Sequence, residues 1–561
     1  MRSLKQWMKS CSATVAMGVA MIAATSGASA DWAETKTEHF IFYGDMKISE
    51  LEEQAHRLER FHGTLANFVD ASSTTPVTIY IVPDIDSVQT LAGPGGRNVL
   101  GFYSATAQSA HAVTPEKVPD YFPDGMEAEN VLNHEYTHHM LLANMDQFYP
   151  GWLTEGMAEF FMTAQFNKKG DVTIGAPNLA RGRSMFSMNR WNAKELLASD
   201  SKKVGALEVE QKYARGWLLV HYLLLSGERK GQLTAYVNKI NTGVPALTAA
   251  EEVFGDLDKL DKDLNRYSKS TGFQTIKFPV GDVDTKMPMT SRILGPGEQA
   301  IMPYRLRSAI GVDKKTAPIV AEKARPIAAR FPNDPAVQRA LAEMEYDAGN
   351  YDAAEAAANR ALAADPKNIM AMVYLGRVAA KRALMDNPQP AMTVPGTAEG
   401  AEITVTGYRT EQWKTARSWF LKANKLDPNY ALPFVLYYDS FTASGEQPSE
   451  GATLGLSRAI ILAPQDDTVR VRIALDMLKN GDLKGARSII APAALNPHAP
   501  ADNPFKQFMD KIDEGKDQAA LIAFASEKKF DKMHDFADPS IFEEDKDKDG
   551  KDKPKDDKDK G

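Results

Sequence analysis

"AVQRALAEMEYDAGNYDAAEAAANRALAADPKN", residues 336–368, decides the fold of the second half of this 561-residue chain. Its many alanines predict two helices that pack closely, since a methyl side chain loses no rotamer freedom in a helix and keeps neighbouring axes near. Gly349 predicts the turn between them, and Asp365-Pro366 ends the second helix.

Working outward, similar helix stops recur as "FPNDP" from 331, "AADPKN" from 363, "KLDPNY" from 425, "LAPQDD" from 462 and "ALNPH" from 494. The step is 31 residues from Pro335 to Pro366, 36 from Pro428 to Pro464 and 33 from Pro464 to Pro497. The 62-residue step between Pro366 and Pro428 contains the insertion "MDNPQPAMTVPGTAEGAEITVTGYR", residues 385–409. The unit at 336–368 resembles the tetratricopeptide repeat. That resemblance implies an all-α solenoid of four to five units over residues 298–498, whose groove binds extended segments of a protein partner. A solenoid that merely packs on its neighbour domain is the plainer alternative. Further helices follow to residue 534. The tail, 535–561, is too polar to bury anything; its Asp545, Asp547, Asp549 and Gly550 imitate a calcium loop without the flanking helices one needs.

Ahead of the repeats, "KFPVGDVDTKMPMTSRILGPGEQA" is polar and rich in Pro and Gly, which predicts an interdomain linker over 276–297. Before it, "HFIFYG" and "VTIYIVP" read as strands flanking a helix over 49–69, and "GPGGRNVLGFYSATAQSAHAV" as a loop and two short strands. This arrangement predicts an exposed strand just before the histidine-bearing helix, with whose edge an extended peptide could pair; an ordinary hairpin is the plainer alternative. Residues 126–275 read as mostly helical, with one hairpin at "QFNKKGDVTIG".

"NHEYTHHML", residues 133–141, carries the chemistry. On a helix, residues four apart differ by about 40° in azimuth, so His134 and His138 point the same way and can share one ion. His139 is rotated away, toward the helix flank. Glu135 reaches a water beside the ion without ligating it. This is the H-E-x-x-H arrangement, with two neutral imidazoles at about 2.0 to 2.1 Å from zinc and a glutamate placed as general base. A third ligand is needed, and by spacing alone both Glu155 and Glu159 qualify: sixteen residues separate His138 from Glu155 and twenty separate it from Glu159.

With "GWLTEGMAEFF", residues 151–161, the sequence resembles the gluzincin metallopeptidases, in particular the bacterial exported peptidase MA-like domains, several of which carry tetratricopeptide repeats. The block of Trp152, Leu153, Glu155, Gly156 and Ala158 matches that clan's W-L-x-E-G-x-A. The resemblance implies an α+β zincin-like metallopeptidase domain, a small mixed sheet plus helices, over 31–275. It assigns the metal ligands His134, His138 and Glu155 to one Zn2+ ion. Glu159, one turn on, then suits the acid that receives the other ring N–H of His134. A solvated helix face is the plainer account of both glutamates. The clan also implies a tyrosine or histidine that donates to the developing oxyanion. Tyr213, His221 and Tyr222 are candidates, Tyr213 first, although Tyr213, Trp217, Val220 and Leu224 on one face also suit packing.

The expected activity is therefore hydrolysis of a peptide or protein substrate by an activated water, with Glu135 as base and the repeats recruiting substrate or partner. The alternative is a non-catalytic scaffold with an inactive peptidase-like domain. Residues 1–30, with Arg2, Lys5 and Lys9, an apolar run from Ala13 to Ala24 and "SGASA", read as a secretory signal peptide, predicting a periplasmic or secreted protein. The apolar run falls short of the roughly eighteen residues of a membrane span, so no integral membrane segment is expected after cleavage. Cys11, the chain's one cysteine, lies in that leader, so no disulfides are expected in the remainder. Loss of the leader takes the formal charge from -8 to -11, which gives no electrostatic footprint for nucleic acid.

Overall fold

The computed structural model describes residues 31–69, 75–93, 96, 99–119, 127–143, 147–186, 191–199, 206–270, 272–279, 288–385, 405–495, 503–530, 533 and 536. The leader, most of the 385–409 insertion, His498, His534 and nearly all of the charged tail lie outside them.

Five strands open the chain: β1 (Trp32–Lys36), β2 (Phe40–Asp45), β3 (Val77–Val82), β4 (Phe102–Ala105) and β5 (Ala110–Pro115). With β9 (Thr290–Ile293) they form a mixed six-stranded sheet of order β4-β5-β3-β2-β1-β9. The β2–β3 and β3–β5 pairs are parallel, and the pairs β1–β2, β4–β5 and β1–β9 antiparallel. Alternation sends Phe40, Phe42, Ile79, Ile81 and Ala112 to one face, against α1 (Ile48–Leu65) and the helices that follow. Tyr43, Tyr80, Val82 and Val113 face the other way, onto α2 (Ile85–Ala92).

Two helices come next, α3 (Ala128–Ala143) and α4 (Gly151–Phe161), then the short strands β6 (Gln165–Phe166) and β7 (Val172–Ile174). Short helices α5 (Gly182–Met185) and α6 (Ala193–Leu197) lead to α7 (Ala206–Leu225), and then to α8 (Gln232–Asn241), α9 (Ala246–Phe254) and α10 (Leu257–Tyr267). The polar segment expected to be a linker contributes two strands at its described ends, while residues 280–287 lie outside the described residues. Its start forms β8 (Ile276–Phe278), which pairs with β7, and Thr290–Ile293 is the β9 edge of the main sheet. Hydropathy missed both because an edge strand needs few apolar side chains when its register is set by backbone pairing, to β7 for β8 and to β1 for β9. Arg292 also forks onto Glu298 and contacts Glu34, which pins this edge.

Five helix pairs then follow: α11 (Pro296–Ile310) with α12 (Thr316–Arg330), α13 (Pro335–Asp347) with α14 (Tyr351–Ala364), α15 (Ile369–Ala383) with α16 (Val405–Leu426), α17 (Ala431–Ser444) with α18 (Glu450–Leu462), and α19 (Asp467–Lys479) with α20 (Leu483–Ala494). The helices α21 (Pro504–Asp513) and α22 (Gln518–Glu527) end the described chain. Side chains at the stops start the next helix: Asp334, Asn368 and Asp466 each accept N–H bonds from the first turn of α13, α15 and α19. Ala340 of α13 and Ala354, Ala357, Ala358 and Ala361 of α14 are fully buried, and Gly349 turns the chain at φ +78°. The first helix, α11, covers the far face of the sheet through Met302 and Leu306, joined by Leu294 just before it, so the helical half and the sheet share a core.

Candidate metal centre

The ring nitrogens of α3 converge as helical spacing requires: His134 Nε2 and His138 Nε2 are 3.1 Å apart. Glu155, from α4, brings its Oε2 to 3.5 Å from the first and 3.6 Å from the second. Donors at about 2.0 to 2.1 Å from a tetrahedral zinc stand roughly 3.3 Å from one another, so this triangle has the dimensions of one face of such a site. The donor chemistry, two imidazoles and a carboxylate, also suits zinc. Among the described residues, His134, His138 and Glu155 are the group of three donors close enough to hold an ion.

Two close backbone approaches build this triangle. A Cβ on Gly156 would stand 2.7 Å from the Gly216 carbonyl oxygen, so α4 and α7 cross with almost nothing between them and Glu155 is set beside Tyr213's helix. Likewise Gly101, just before β4, lies where a Cβ would meet Val131 and come within 3.7 Å of Glu135 Cγ. The start of the edge strand is therefore laid against the face of α3 that carries Glu135.

Electrostatics favour a cation here. Burial alone would make the His134 ring harder to protonate, but its bond to Glu155 and the charges of Glu159, Glu135 and Glu155 outweigh burial and raise its pKa to about 9. Glu159 is fully buried. Its Oε1 lies 3.6 Å from His134 Nδ1, on the expected side of the ring but beyond ordinary hydrogen-bond length.

Arg181, which no sequence signal marked, holds Glu159 in place. Its Nη2 and Nε donate to the two Glu159 oxygens at 2.7 and 2.9 Å, Asn178 adds a bond of 2.7 Å, and Nη1 reaches Glu210. The same guanidinium lies 4.9 Å above the Tyr213 ring, whose centroid is 6.1 Å from that of His134. Burial, and then the charges of Glu155 and Glu159, raise the Tyr213 pKa and keep its phenol protonated. An arginine in a single 3-10 turn, Leu179–Arg181, carries no periodic or motif signal, and its partner Glu159 lies 22 residues away.

Of the three candidate donors, only Tyr213 is near the cluster. His221 lies between Tyr267 and the Gly175 carbonyl, and Tyr222 bonds Glu228. His139 points away from the donors, as its azimuth predicts, but is buried. Its Nδ1 is 2.7 Å from Tyr103 Oη of β4, and burial depresses its pKa to about 3. His39 pairs with Glu59 and stacks on His62, whose Nδ1 is 2.6 Å from Tyr136 Oη. These rings belong to the packing behind α3.

The chain thus joins a mixed α+β half, which carries a three-donor cluster, to helical pairs of tetratricopeptide type. A tetratricopeptide repeat family model matches residues 324–378. A second model, described as "Protein of unknown function (DUF1570)", matches residues 130–246, the span that holds α3, α4 and Tyr213. Among solved structures, a thermophilic TPR protein in Thermus thermophilus is similar at 17% identity, with 41% of this chain and 97% of that one covered at a TM-score of 0.27. No curated protein matches the chain. Among the described residues, no helix is long and apolar enough to cross a membrane.

Proposed function

We propose that the protein is an exported, zincin-like zinc metallopeptidase of gluzincin type, acting on peptide or protein substrates in the periplasm or outside the cell. The observation that carries this reading is the triangle of 3.1, 3.5 and 3.6 Å between His134, His138 and Glu155. One zinc ion held by these residues would supply Lewis acidity toward a carbonyl and acidify a water. Glu135, beside His134 on α3, accepts a proton from the attacking water and passes it to the departing amine. One water is consumed, the C–N bond breaks, and an acid and an amine result. Tyr213, kept protonated, donates to the oxygen on which negative charge develops. The outer edge of β4 suits antiparallel pairing with an extended substrate beside Glu135.

The second reading is a protein-interaction scaffold with an inactive peptidase-like half; the tetratricopeptide match at 324–378 favours it. Elemental analysis and casein hydrolysis on the full-length protein and Glu135→Gln separate the two. The peptidase reading expects one zinc per chain in both proteins and at least a roughly 100-fold loss of rate in the variant. Equal rates would remove Glu135 as base. Zinc-loaded protein with no hydrolysis of casein or mixed peptides would leave the scaffold.

A further inference from the structure

The helical pairs present one face to a short turn of the sheet. The turn, residues 106–109, joins β4 to β5, and Ala107 at its tip is only 6% exposed because it sits in the hydrophobic cluster of the solenoid with Met372, Leu432 and Val469. The Ala107 N–H donates to Asp466 Oδ2 at 2.6 Å. The side-chain amide of Gln108 donates to Glu343 at 3.2 Å, and its oxygen accepts from Arg377 at 2.9 Å. Tyr430 donates its hydroxyl to the Gln108 backbone oxygen at 2.9 Å. Glu343, Arg377, Tyr430 and Asp466 lie on, or at the start of, the first helices of four successive pairs: α13, α15, α17 and α19.

We propose that this face of the first helices is a docking site for a small-residue-plus-glutamine turn, that the chain fills it with its own residues 106–109, and that the clamp holds β4 against α3. The recognition is specific in its chemistry. A carboxamide satisfies both Glu343 and Arg377, whereas a carboxylate at position 108 would repel the first and an ammonium the second. Both partners are set before they meet. Thr106 Oγ1 accepts from the N–H groups of Gln108 and Ser109 inside the turn, and Asp466 Oδ1 accepts from those of Thr468 and Val469 at the start of α19. The turn follows directly on β4, where Tyr103 reaches His139. The helix stop that holds the turn touches the sheet half twice more: Gln465 lies 3.4 Å from His139 Nδ1, and Thr75 donates to the Leu462 carbonyl. A partner that bound this face in trans would compete with a turn tethered at high effective concentration. The inference holds whether or not the metal centre is catalytic.

Amide hydrogen exchange on the full-length protein tests it, with Ala107→Asp and Tyr430→Phe. The first puts a carboxylate into an apolar cluster beside Asp466, and the second deletes one hydrogen bond from the solenoid side. Exchange in Phe102–Ala105 and Ala128–Ala143 should rise about 5-fold in Tyr430→Phe and at least about 10-fold in Ala107→Asp, while Trp32–Lys36 at the far side of the sheet keeps its rate. Wild-type exchange of β4 in Tyr430→Phe would overturn the clamp, as would a rise spread evenly over the sheet. If Ala107→Asp does not fold, Asp466→Asn takes its place under the same two criteria.

Discussion

Gly156 and Gly216 meet backbone to backbone: the position of an added Cβ on Gly156 is 2.7 Å from the Gly216 carbonyl oxygen and 2.8 Å from its carbon. The contacted atoms are main chain and cannot rotate aside. Gly156→Ala therefore drives α4 from α7, and overpacking of this kind costs about 1 to 3 kcal/mol. Glu155 is the next residue, so metal affinity should fall along with the melting temperature. Gly216→Ala meets its nearest atom, the Trp152 carbonyl oxygen, at 3.0 Å and should be the milder change. Thermal unfolding and zinc titration of the two variants check the ranking.

A site built from three donors without a covalent tie should be stabilised by its ion. Zinc that binds only the folded chain adds about 2.7 kcal/mol at a concentration roughly 100 times its Kd. Calorimetry with zinc and with EDTA should show an upward shift of the sheet-half transition in the native protein. The shift should vanish in His134→Gln and in Glu155→Gln, each of which removes a donor. A shift of equal size in all three would place the ion elsewhere.

Arg181 forks onto buried Glu159 through two nitrogens. Arg181→Met leaves that carboxylate buried without its counter-charge, at a cost of about 3 to 5 kcal/mol. Lysine keeps the charge but loses the fork and the planar contact with the Tyr213 ring, so Arg181→Lys should recover only part of the stability. Because Glu159 lies beside His134, zinc affinity in Arg181→Lys should drop about 10- to 100-fold. Chelator competition measures this, and an unchanged affinity would confine Arg181 to a packing role.

The sequence was most legible where donor chemistry and helical period coincide. His134 and His138 needed only four-residue spacing to be brought together, and Glu155 needed the W-L-x-E-G block, whose glycine is explained by the α4–α7 crossing. The alanine-rich unit at 336–368 was equally plain, because methyl-to-methyl packing leaves its mark in composition. Arg181 was not legible, since one 3-10 turn is too short to show a period and its role depends on how the chain returns to Glu159. Nor was β9, whose register comes from backbone bonds to β1. Least legible was "SATAQSA", which reads as an ordinary turn until Asp466, 359 residues from Ala107, is seen to cap it.

Acid should destabilise the sheet half through histidines that burial keeps neutral. Burial depresses His62 and His111 to pKa values of about 4 each, with the nearby His39 charge assisting at His62. Between about pH 6.5 and about 4 the unfolded chain binds protons on these rings that the folded chain refuses. Stability therefore falls as pH falls, by about 1.4 kcal/mol per pH unit for each ring, and this contribution levels off below about pH 4. The two rings differ in what they do at neutral pH. Neither nitrogen of buried His111 has a hydrogen-bond partner among the described residues, whereas His62 touches Tyr136 Oη. His111→Leu should thus flatten the acid limb while leaving stability near pH 7 unchanged or higher by about 1 kcal/mol. His62→Phe should flatten the limb equally but lower stability at neutral pH, because Tyr136 loses its partner. Urea unfolding at about pH 7.5 and about pH 5 for the native protein and both variants measures the two slopes, and a native-like slope in His111→Leu would show that its burial is not what makes the fold acid-sensitive.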